Sequence, residues 1–329
     1  MVLKFLILSV VWLMPILLSA QEKYTRTLKL MGSRFDITVV AQNENQGNTF
    51  IDMAVNEISR IEKIISSWNS GSETSKIIAS AGIRPVEVDK ELFDLISRAI
   101  QISELTEGAF DISYASMDRI WKFDGSMNHA PTNDEVEQSV SKVGYKNIVL
   151  NRENHSVFLK IKGMRIGFGA IGKGYAADKA KQLLISQGVI GGIINASGDL
   201  TTWGTQPDGT PWMVGITNPL NKDKVFSWFP LDNNAVVTSG NYEKYVEFNG
   251  KKYTHIIDPR TGWPVSGLTS VTVFAPKAEL ADALATSVFV MGLDTGLNLI
   301  NQLPGVECVI VDDNGKIYKS ENIELNSEK

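Results

Sequence analysis

The sequence predicts an α+β fold, with a mixed, largely antiparallel sheet against which helices pack. Segments with the two-residue alternation of strands outnumber helical segments, and several are joined by turns short enough for hairpins. The helical segments carry apolar residues at spacings of three and four, so each offers a single face to a core. A doubly wound parallel sheet, which would alternate strands with helices, is disfavoured by this order of elements.

The composition is that of a globular protein of 329 residues with a net charge of −5 and no basic stripe. This charge argues against a nucleic-acid-binding protein. Cys308 is the only cysteine, so the chain has no internal disulfide, and its apolar strand pattern indicates a small buried side chain. His129, His155 and His255 are scattered along the chain, which excludes the usual zinc spacings.

The first 20 residues have the pattern of a secretory signal peptide. Lys4 supplies a positive charge, residues 5–18 are apolar, and small residues precede Gln21. An uncleaved membrane anchor is the alternative, because the apolar run is nearly long enough to span a bilayer. We therefore expect an exported protein, either periplasmic or attached to the outer face of the cytoplasmic membrane. Its single domain would cover residues 21–329, with two intertwined subdomains as the alternative.

The N-terminal part of the chain begins with strands and continues with helices. Residues 26–41 predict a strand pair or one bent strand, interrupted around Gly32. An amphipathic helix starts at about Asn48 and ends in a polar loop. Trp68 in that loop belongs either to the core or to the wall of a ligand pocket. A second amphipathic helix covers residues 90–106.

The middle of the chain is mostly strand-like. Residues 146–166 predict a β meander, and residues 191–199 predict a short apolar strand that ends in a polar loop. Residues 212–217 and 235–238 are further strand candidates. These hairpin-rich segments are the main reason for expecting an antiparallel sheet.

A glycine-rich stretch over residues 165–178 is the feature around which the chain is organised. Its apolar part ends in Gly172, Lys173 and Gly174, where a helical pattern begins, and a helix N-terminus with a nearby lysine attracts anions. A dinucleotide fingerprint fails because no acidic residue follows about 20 positions on, and a P-loop fails because Gly174 replaces the magnesium-binding Ser or Thr. The stretch therefore predicts a turn that cradles phosphate, with a purely structural tight turn as the alternative.

Several acidic and basic side chains stand out by their surroundings. Asp111 lies between apolar neighbours, which indicates either a buried, hydrogen-bonded carboxylate or a helix N-cap. His255 follows an apolar strand and precedes a polar turn, where it could act as a general acid or base or bind phosphate. Asp258 and Arg260 fit a well-formed turn around the intervening proline, with a functional role as the alternative.

An apolar helix over residues 278–291 carries Asp282 and Thr286 four positions apart, so both lie on one face. A buried carboxylate and hydroxyl are costly unless something satisfies them. Two hard oxygen ligands suit magnesium. The structural alternative is that Thr286 bonds to a helix carbonyl and that Asp282 lies near the surface at the helix N-terminus.

Taken in order, these stretches resemble the ApbE family of FAD:protein FMN transferases. The resemblance spans nearly the whole chain after the signal segment, and the ordered set is far more specific than any single stretch. It implies an ApbE-like, T-fold-like architecture with the FAD site in a central cleft. The matching segments are Met31-Gly-Ser, Gly108-Ala-Phe-Asp111, Gly169-Ala-Ile-Gly-Lys-Gly-Tyr-Ala-Ala-Asp178, Asn195-Ala-Ser-Gly-Asp199, Thr238-Ser-Gly-Asn241, His255-Ile-Ile-Asp-Pro-Arg-Thr-Gly262 and Ala281-Asp-Ala-Leu-Ala-Thr286.

The resemblance also implies roles for individual residues. The carbonyl oxygen of Ala170 and the side chains of Asp282 and Thr286 would bind Mg²⁺. Trp68 stands where the family often has a tyrosine, which keeps a stacking surface but removes the phenol. The residues that would line the FAD site are Met31, Trp68, Ala109, Phe110, Asp111, Gly167, Lys173, His255 and Ile256.

The implied reaction is transfer of FMN from FAD to a Ser or Thr hydroxyl of an acceptor protein, with release of AMP. Lys173 and the metal would neutralise charge, and His255 is the first candidate for the base, with Asp282 and Asp258 also open. The acceptors would be flavin-carrying subunits of redox-driven ion pumps. An FAD pyrophosphatase, a flavin-binding protein without turnover and a magnesium-dependent NTPase are the alternatives. The missing P-loop Ser or Thr disfavours the last.

Overall fold

The computed structural model describes residues 21–218, 221–241, 245–248 and 250–324. The predicted signal segment over residues 1–20 lies outside these ranges. No helix within them is long and apolar enough to cross a membrane.

The strands and helices of the described ranges follow the chain in a mixed order. The strands are β1 (Glu22–Leu30), β2 (Ser33–Ala41), β3 (Val86–Glu87), β4 (Ile148–Asn151), β5 (Ser156–Leu159), β6 (Gly192–Ala196), β7 (Asp199–Trp203), β8 (Trp212–Asn218), β9 (Asn221–Leu231), β10 (Ala235–Gly240), β11 (Tyr245–Phe248), β12 (Lys251–Thr254), β13 (Leu268–Ala275), β14 (Glu307–Asp312) and β15 (Ile317–Lys319). The helices are α1 (Glu44–Ile65), α2 (Glu73–Ala79), α3 (Lys90–Leu105), α4 (Asn133–Ser139), α5 (Gly172–Ser186), α6 (Ala278–Met291) and α7 (Leu293–Asn301), with short 3₁₀ helices at Ile112–Ser116 and Tyr145–Asn147.

One large sheet dominates the fold. Its eight strands lie in the order β1-β2-β6-β7-β10-β13-β14-β15, and each neighbouring pair is antiparallel. Three smaller antiparallel sheets have the orders β3-β5-β4, β8-β9 and β11-β12. The predicted α+β class with an antiparallel sheet is therefore confirmed.

The first hairpin resolves the choice between a strand pair and a bent strand. Strands β1 and β2 pair along their full lengths, and the connecting residues Met31 and Gly32 have φ angles of 49° and 73°. Two successive positive φ angles suit the tight turns that match the twist of paired strands. The interruption predicted around Gly32 is this turn.

Some predicted elements have different limits in the structure. Helix α1 starts at Glu44, before the predicted Asn48, because the Asn43 side chain caps it by accepting from the Gln46 amide at 3.0 Å. The predicted meander shortens to β4 and β5, since a turn at Ile161–Met164 ends the alternation. Asp199, which the sequence assigned to a polar loop, is instead the first residue of β7.

One face of the large sheet is covered by a layer of helices. Helix α1 packs on β1 and β2, α5 on β6 and β7, and α6 on β10 and β13, while α5 contacts both α1 and α6. Residues paired directly across strands share a face, and one row on the helical face runs through Phe35, Ala196, Asp199, Val237 and Val273. Asp199 is the charged member of this apolar row, so its carboxylate lies between the sheet and the helices.

Helices α5 and α6 approach each other with no room for a side chain at Gly174. A Cβ added there would overlap the carbonyl oxygen of Ala278 and lie 2.5 Å from its carbonyl carbon. Asp178 on α5 accepts hydrogen bonds from the amides of Ala278 and Glu279 at 3.1 and 2.9 Å. This carboxylate caps the start of α6, which has no side-chain cap of its own. The contact brings the N-terminal turns of the two helices together.

Candidate functional site

A cavity of about 660 Å³ lies where these helices meet the large sheet and the β8–β9 hairpin. All predicted site residues line it except Met31, Trp68 and the alternative base Asp258. The predicted residues at its wall are Ala109, Phe110, Asp111, Gly167, Ala170, Lys173, His255, Ile256, Asp282 and Thr286. The fold thus brings together predicted residues from four separate stretches of the sequence.

Met31 and Trp68 lie elsewhere. Met31 is in the first hairpin turn, where its amide donates to Glu62 at 3.3 Å and its side chain packs partly against the main core. Trp68 is 75% exposed, and the guanidinium of Arg119 lies 4.6 Å from the centre of its ring. Neither Trp68 nor Arg119 lines the cavity.

Three charged side chains form a buried cluster in the cavity. Lys173, in the first turn of α5, forms an ion pair with Asp199 at the start of β7. The side chain of Asp199 is only 4% exposed. Asp282 on α6 lies beside Asp199 and accepts from the Gly174 amide at 3.3 Å. One ammonium group therefore faces two carboxyl groups.

The electrostatics of this cluster favour an additional positive charge. Burial and then the charge of Asp199 hold the pKa of Asp282 well above its usual range. Burial also raises the pKa of Asp199, against the opposing influence of Lys173. The two carboxylates raise the pKa of Lys173 despite its burial, so the lysine stays charged. Two buried carboxyl groups that share one cation need either a proton or a second cation.

The predicted metal ligands fit such a cation. Asp282 and Thr286 lie one turn apart on α6, and Ala170 is in the turn just before α5. The Thr286 hydroxyl oxygen lies 3.4 Å from that of Ser239 on β10. Among the described residues no group of three or more His, Cys, Asp or Glu side chains forms a metal cluster. This donor set instead combines carboxylate, hydroxyl and carbonyl oxygens, the hard ligands that suit Mg²⁺.

His255 reaches the cavity from the loop that follows β12. Its ring lies edge-on to Phe123, with 6.5 Å between the ring centres. The same loop is fixed by a hydrogen bond from the Trp121 indole to the carbonyl oxygen of Gly262 at 3.0 Å. The structure therefore holds His255 at the cavity wall through an aromatic contact and a braced turn.

The turn after His255 accounts for Asp258 and Arg260. The guanidinium of Arg260 binds both carboxylate oxygens of Asp258, at 2.9 and 2.8 Å, and the Gly262 amide donates to the Asp258 carbonyl at 2.8 Å. The predicted turn is confirmed. Because both oxygens of Asp258 are engaged by Arg260, the geometry favours a structural role over that of a base.

Asp111 has both of the properties that its sequence context predicted. Its carboxylate is buried, and it caps the 3₁₀ helix Ile112–Ser116 by accepting from the Ser113 amide at 2.7 Å. Its second oxygen accepts from the Tyr145 amide, also at 2.7 Å. Burial raises the pKa of Asp111 although these bonds oppose the shift. The Asp111 carboxylate therefore shapes this wall of the cavity by fixing the backbone at Ser113 and Tyr145.

Two residues without a role predicted from the sequence, Tyr114 and Asp199, also line the cavity. Asp199 belongs to a recognised stretch, but only the strand register shows that it meets Lys173 and Asp282. Tyr114 follows Asp111 by three positions, and its hydroxyl reaches Gly169 in the glycine-rich turn. Burial and the charge of Asp282 raise its pKa. The only sequence signal for Tyr114 was its position three residues after Asp111, in a stretch that was already recognised.

The chain is similar to solved structures that include flavin transferases. The chain is similar to the ApbE protein of Thermotoga maritima, with a TM-score of 0.82 and 33% identity over 91% of this chain and 97% of that one. It is also similar to the flavin transferase ApbE of Vibrio cholerae, with a TM-score of 0.80 and 26% identity over 92% and 98% of the two chains. The FAD:protein FMN transferase of Treponema pallidum is 30% identical over 277 residues, which cover 80% of this chain and 76% of that protein.

The fold and these relatives define the class of the protein, which is an enzyme of the flavin-transferring type. The sequence profile of the ApbE family matches residues 31–310. The chain belongs to the ApbE family, and the resemblance seen in its motifs is confirmed.

Proposed function

We propose that this enzyme transfers the FMN half of FAD to a Ser or Thr hydroxyl of an acceptor protein and releases AMP, with Mg²⁺ as its cofactor. The observation that carries the proposal is the buried cluster of Lys173, Asp199 and Asp282 in the cavity of an ApbE-family chain. Such a cluster suits a divalent cation together with an anionic pyrophosphate. FAD contains that pyrophosphate and is named as the substrate of the relatives.

In this proposal the metal is held by the Ala170 carbonyl oxygen and by the side chains of Asp282 and Thr286. When bound, Mg²⁺ supplies charge neutralisation to the pyrophosphate. Lys173 binds the same group with its ammonium, whose direction is set by the ion pair with Asp199. The cavity wall around Ala109 and Phe110 excludes water from the bound flavin dinucleotide.

The proton of the acceptor hydroxyl passes to His255 in this mechanism. The acceptor oxygen attacks the phosphorus on the FMN side of the pyrophosphate, a new P–O bond forms, and the bond to the AMP phosphate oxygen breaks. AMP leaves with the electron pair of that bond. His255 is suited to take the proton because it lies at the cavity wall and its ordinary pKa is close to neutral pH.

We also propose that the chain is exported through its first 20 residues and acts outside the cytoplasmic membrane, with membrane attachment as the outcome if that segment is not cleaved. Its acceptors would then be flavin-carrying subunits of redox-driven ion pumps. Mass spectrometry of the protein purified from its native membrane and periplasmic fractions would show whether the mature chain begins at Gln21.

The deciding experiment incubates residues 21–329 with FAD and Mg²⁺, with and without a candidate flavin-carrier domain. We expect the acceptor to gain the mass of one FMN as AMP is released, in a reaction that EDTA stops. AMP and free FMN with every tested carrier domain unmodified would identify an FAD pyrophosphatase instead. Bound FAD without AMP release would identify a flavin-binding protein.

His255→Ala is expected to lower the rate of FMN transfer by roughly a hundredfold while changing the Kd for FAD by less than about threefold, because a general base acts in the reaction step. Pre-steady-state transfer rates and FAD titrations check this separation. His129→Ala is the matched control, since His129 is exposed and lies outside the cavity lining. Equal losses of rate and affinity in His255→Ala would assign His255 to binding.

A further inference from the structure

Tyr114 is an aromatic residue of the cavity wall that the proposed mechanism does not use. It lies in the 3₁₀ helix Ile112–Ser116, directly after the Asp111 cap. The residue is 38% exposed, so its ring borders the opening while its hydroxyl points toward the glycine-rich turn. Its location on the cavity side is set by the two backbone hydrogen bonds of Asp111.

Gly169 makes the approach of this hydroxyl possible. A Cβ added at Gly169 would overlap the Tyr114 hydroxyl oxygen, whereas the ring carbon that carries the oxygen would lie 3.6 Å away, at ordinary contact distance. Gly169 therefore leaves room for the Tyr114 hydroxyl, in addition to its part in the turn.

The Tyr114 hydroxyl has its proton available for a ligand in the cavity. A phenol has one proton to donate, and among the described residues no hydrogen bond takes the proton of Tyr114. Tyr114 and Asp282 line the same cavity, and Gly169 directly precedes Ala170. Tyr114 thus presents a neutral donor at the place where the carboxylate–lysine cluster opens into the cavity.

We propose that the Tyr114 hydroxyl donates a hydrogen bond to a phosphoryl oxygen of FAD and is a catalytic residue of the transfer. This inference rests on the proposed function. A neutral donor that lies against the glycine-rich turn and is partly shielded from water stabilises negative charge that develops on a phosphoryl oxygen without reorientation. Unlike Lys173, it carries no charge that a carboxylate of the cluster would neutralise.

Tyr114→Phe tests the proposal because it removes one oxygen atom and keeps the ring. We expect kcat for FMN transfer to fall roughly tenfold to a hundredfold, with the Kd for FAD nearly unchanged. Tyr318→Phe is the control, since its hydroxyl bonds Asp312 on β14, outside the cavity lining. An unchanged kcat in Tyr114→Phe, measured beside an active wild type, would overturn the inference and leave the transferase intact. Absence of AMP release by the wild type would contradict both this inference and the proposed transferase function.

A double-mutant cycle provides a readout that does not depend on turnover. Gly169→Ala should lower the Tm of the otherwise wild-type chain, because the new methyl group displaces the Tyr114 hydroxyl. In the Tyr114→Phe background, Gly169→Ala should lower the Tm by clearly less. Only the ring carbon remains there, and the new methyl group would lie at ordinary contact distance from it. Additive effects on Tm would show that the hydroxyl does not occupy this position, and would overturn the proposal.

Discussion

Asp282→Asn is expected to lose Mg²⁺-dependent FMN transfer by roughly a hundredfold to a thousandfold and, in the absence of metal, to become more stable to heat. Activity falls because the amide has no negative charge for the cation. Stability rises because the carboxyl of Asp282 is fully buried beside Asp199, which already takes up the charge of Lys173. Asparagine keeps the shape, can accept from the Gly174 amide through its carbonyl oxygen, and can donate to Asp199.

The two effects are measured separately, by transfer rate at saturating Mg²⁺ and by Tm in EDTA. Asp294→Asn is the control, because Asp294 is an exposed carboxylate on α7, and we expect changes within about 0.5 kcal/mol there. Full activity in Asp282→Asn would remove the metal assignment. A lower Tm would mean that the Asp282 carboxylate stabilises the fold and that the cluster is balanced without a cation.

Gly174→Ala is expected to destabilise the chain by about 1–3 kcal/mol and to abolish most of its activity. The added methyl group meets the backbone of Ala278 and lies 2.9 Å from the Glu279 amide nitrogen, and backbone atoms cannot rotate away as a side chain could. Helices α5 and α6 must then separate. Lys173 and Asp282 lie on these two helices, so the geometry of the charged cluster changes with their spacing.

Thermal unfolding and transfer rates of Gly174→Ala are compared with those of Gly71→Ala. In the control a Cβ meets only the side chain of Asn69, at 3.4 Å, so we expect little change in either quantity. If Gly174→Ala unfolds at the wild-type temperature, the close approach of the two helices is not a constraint. A wild-type Tm with low activity would mean that Gly174→Ala disturbs the geometry of the charged cluster without destabilising the fold.

Several secondary-structure elements could be predicted from short-range patterns in the sequence. Helix α6 begins at Ala278 and ends at Met291, as its apolar pattern predicts, because propensity and burial act on the same residues. The turn after His255 was recognisable for a similar reason, since aspartate and proline chemistry acts within a few residues. Helix α4 was missed although Thr132 and Glu135 form a capping box, a signal the sequence does contain.

The charged cluster could not be predicted from spacing alone. Asp199 enters the site because Ser197 and Gly198, with φ angles of 55° and 101°, reverse the chain and start β7 at once. The register of β6 with β7 then points its carboxylate at the helices. Such a placement depends on pairing between strands, and a shift of one residue would turn Asp199 to the opposite face. Local pattern does not determine that register.

The order of strands in the large sheet has a consequence for how the protein folds. Strand β2 pairs with β6, so the chain between residues 42 and 191 must be looped out before the sheet can grow past its first hairpin. Closing a loop of this length costs entropy before any contact compensates it, and folds of this kind are slow to form. The cavity wall is drawn from residues between 109 and 286, so the site depends on these long-range strand pairings. A nascent chain that has not yet formed these pairings therefore has no assembled site.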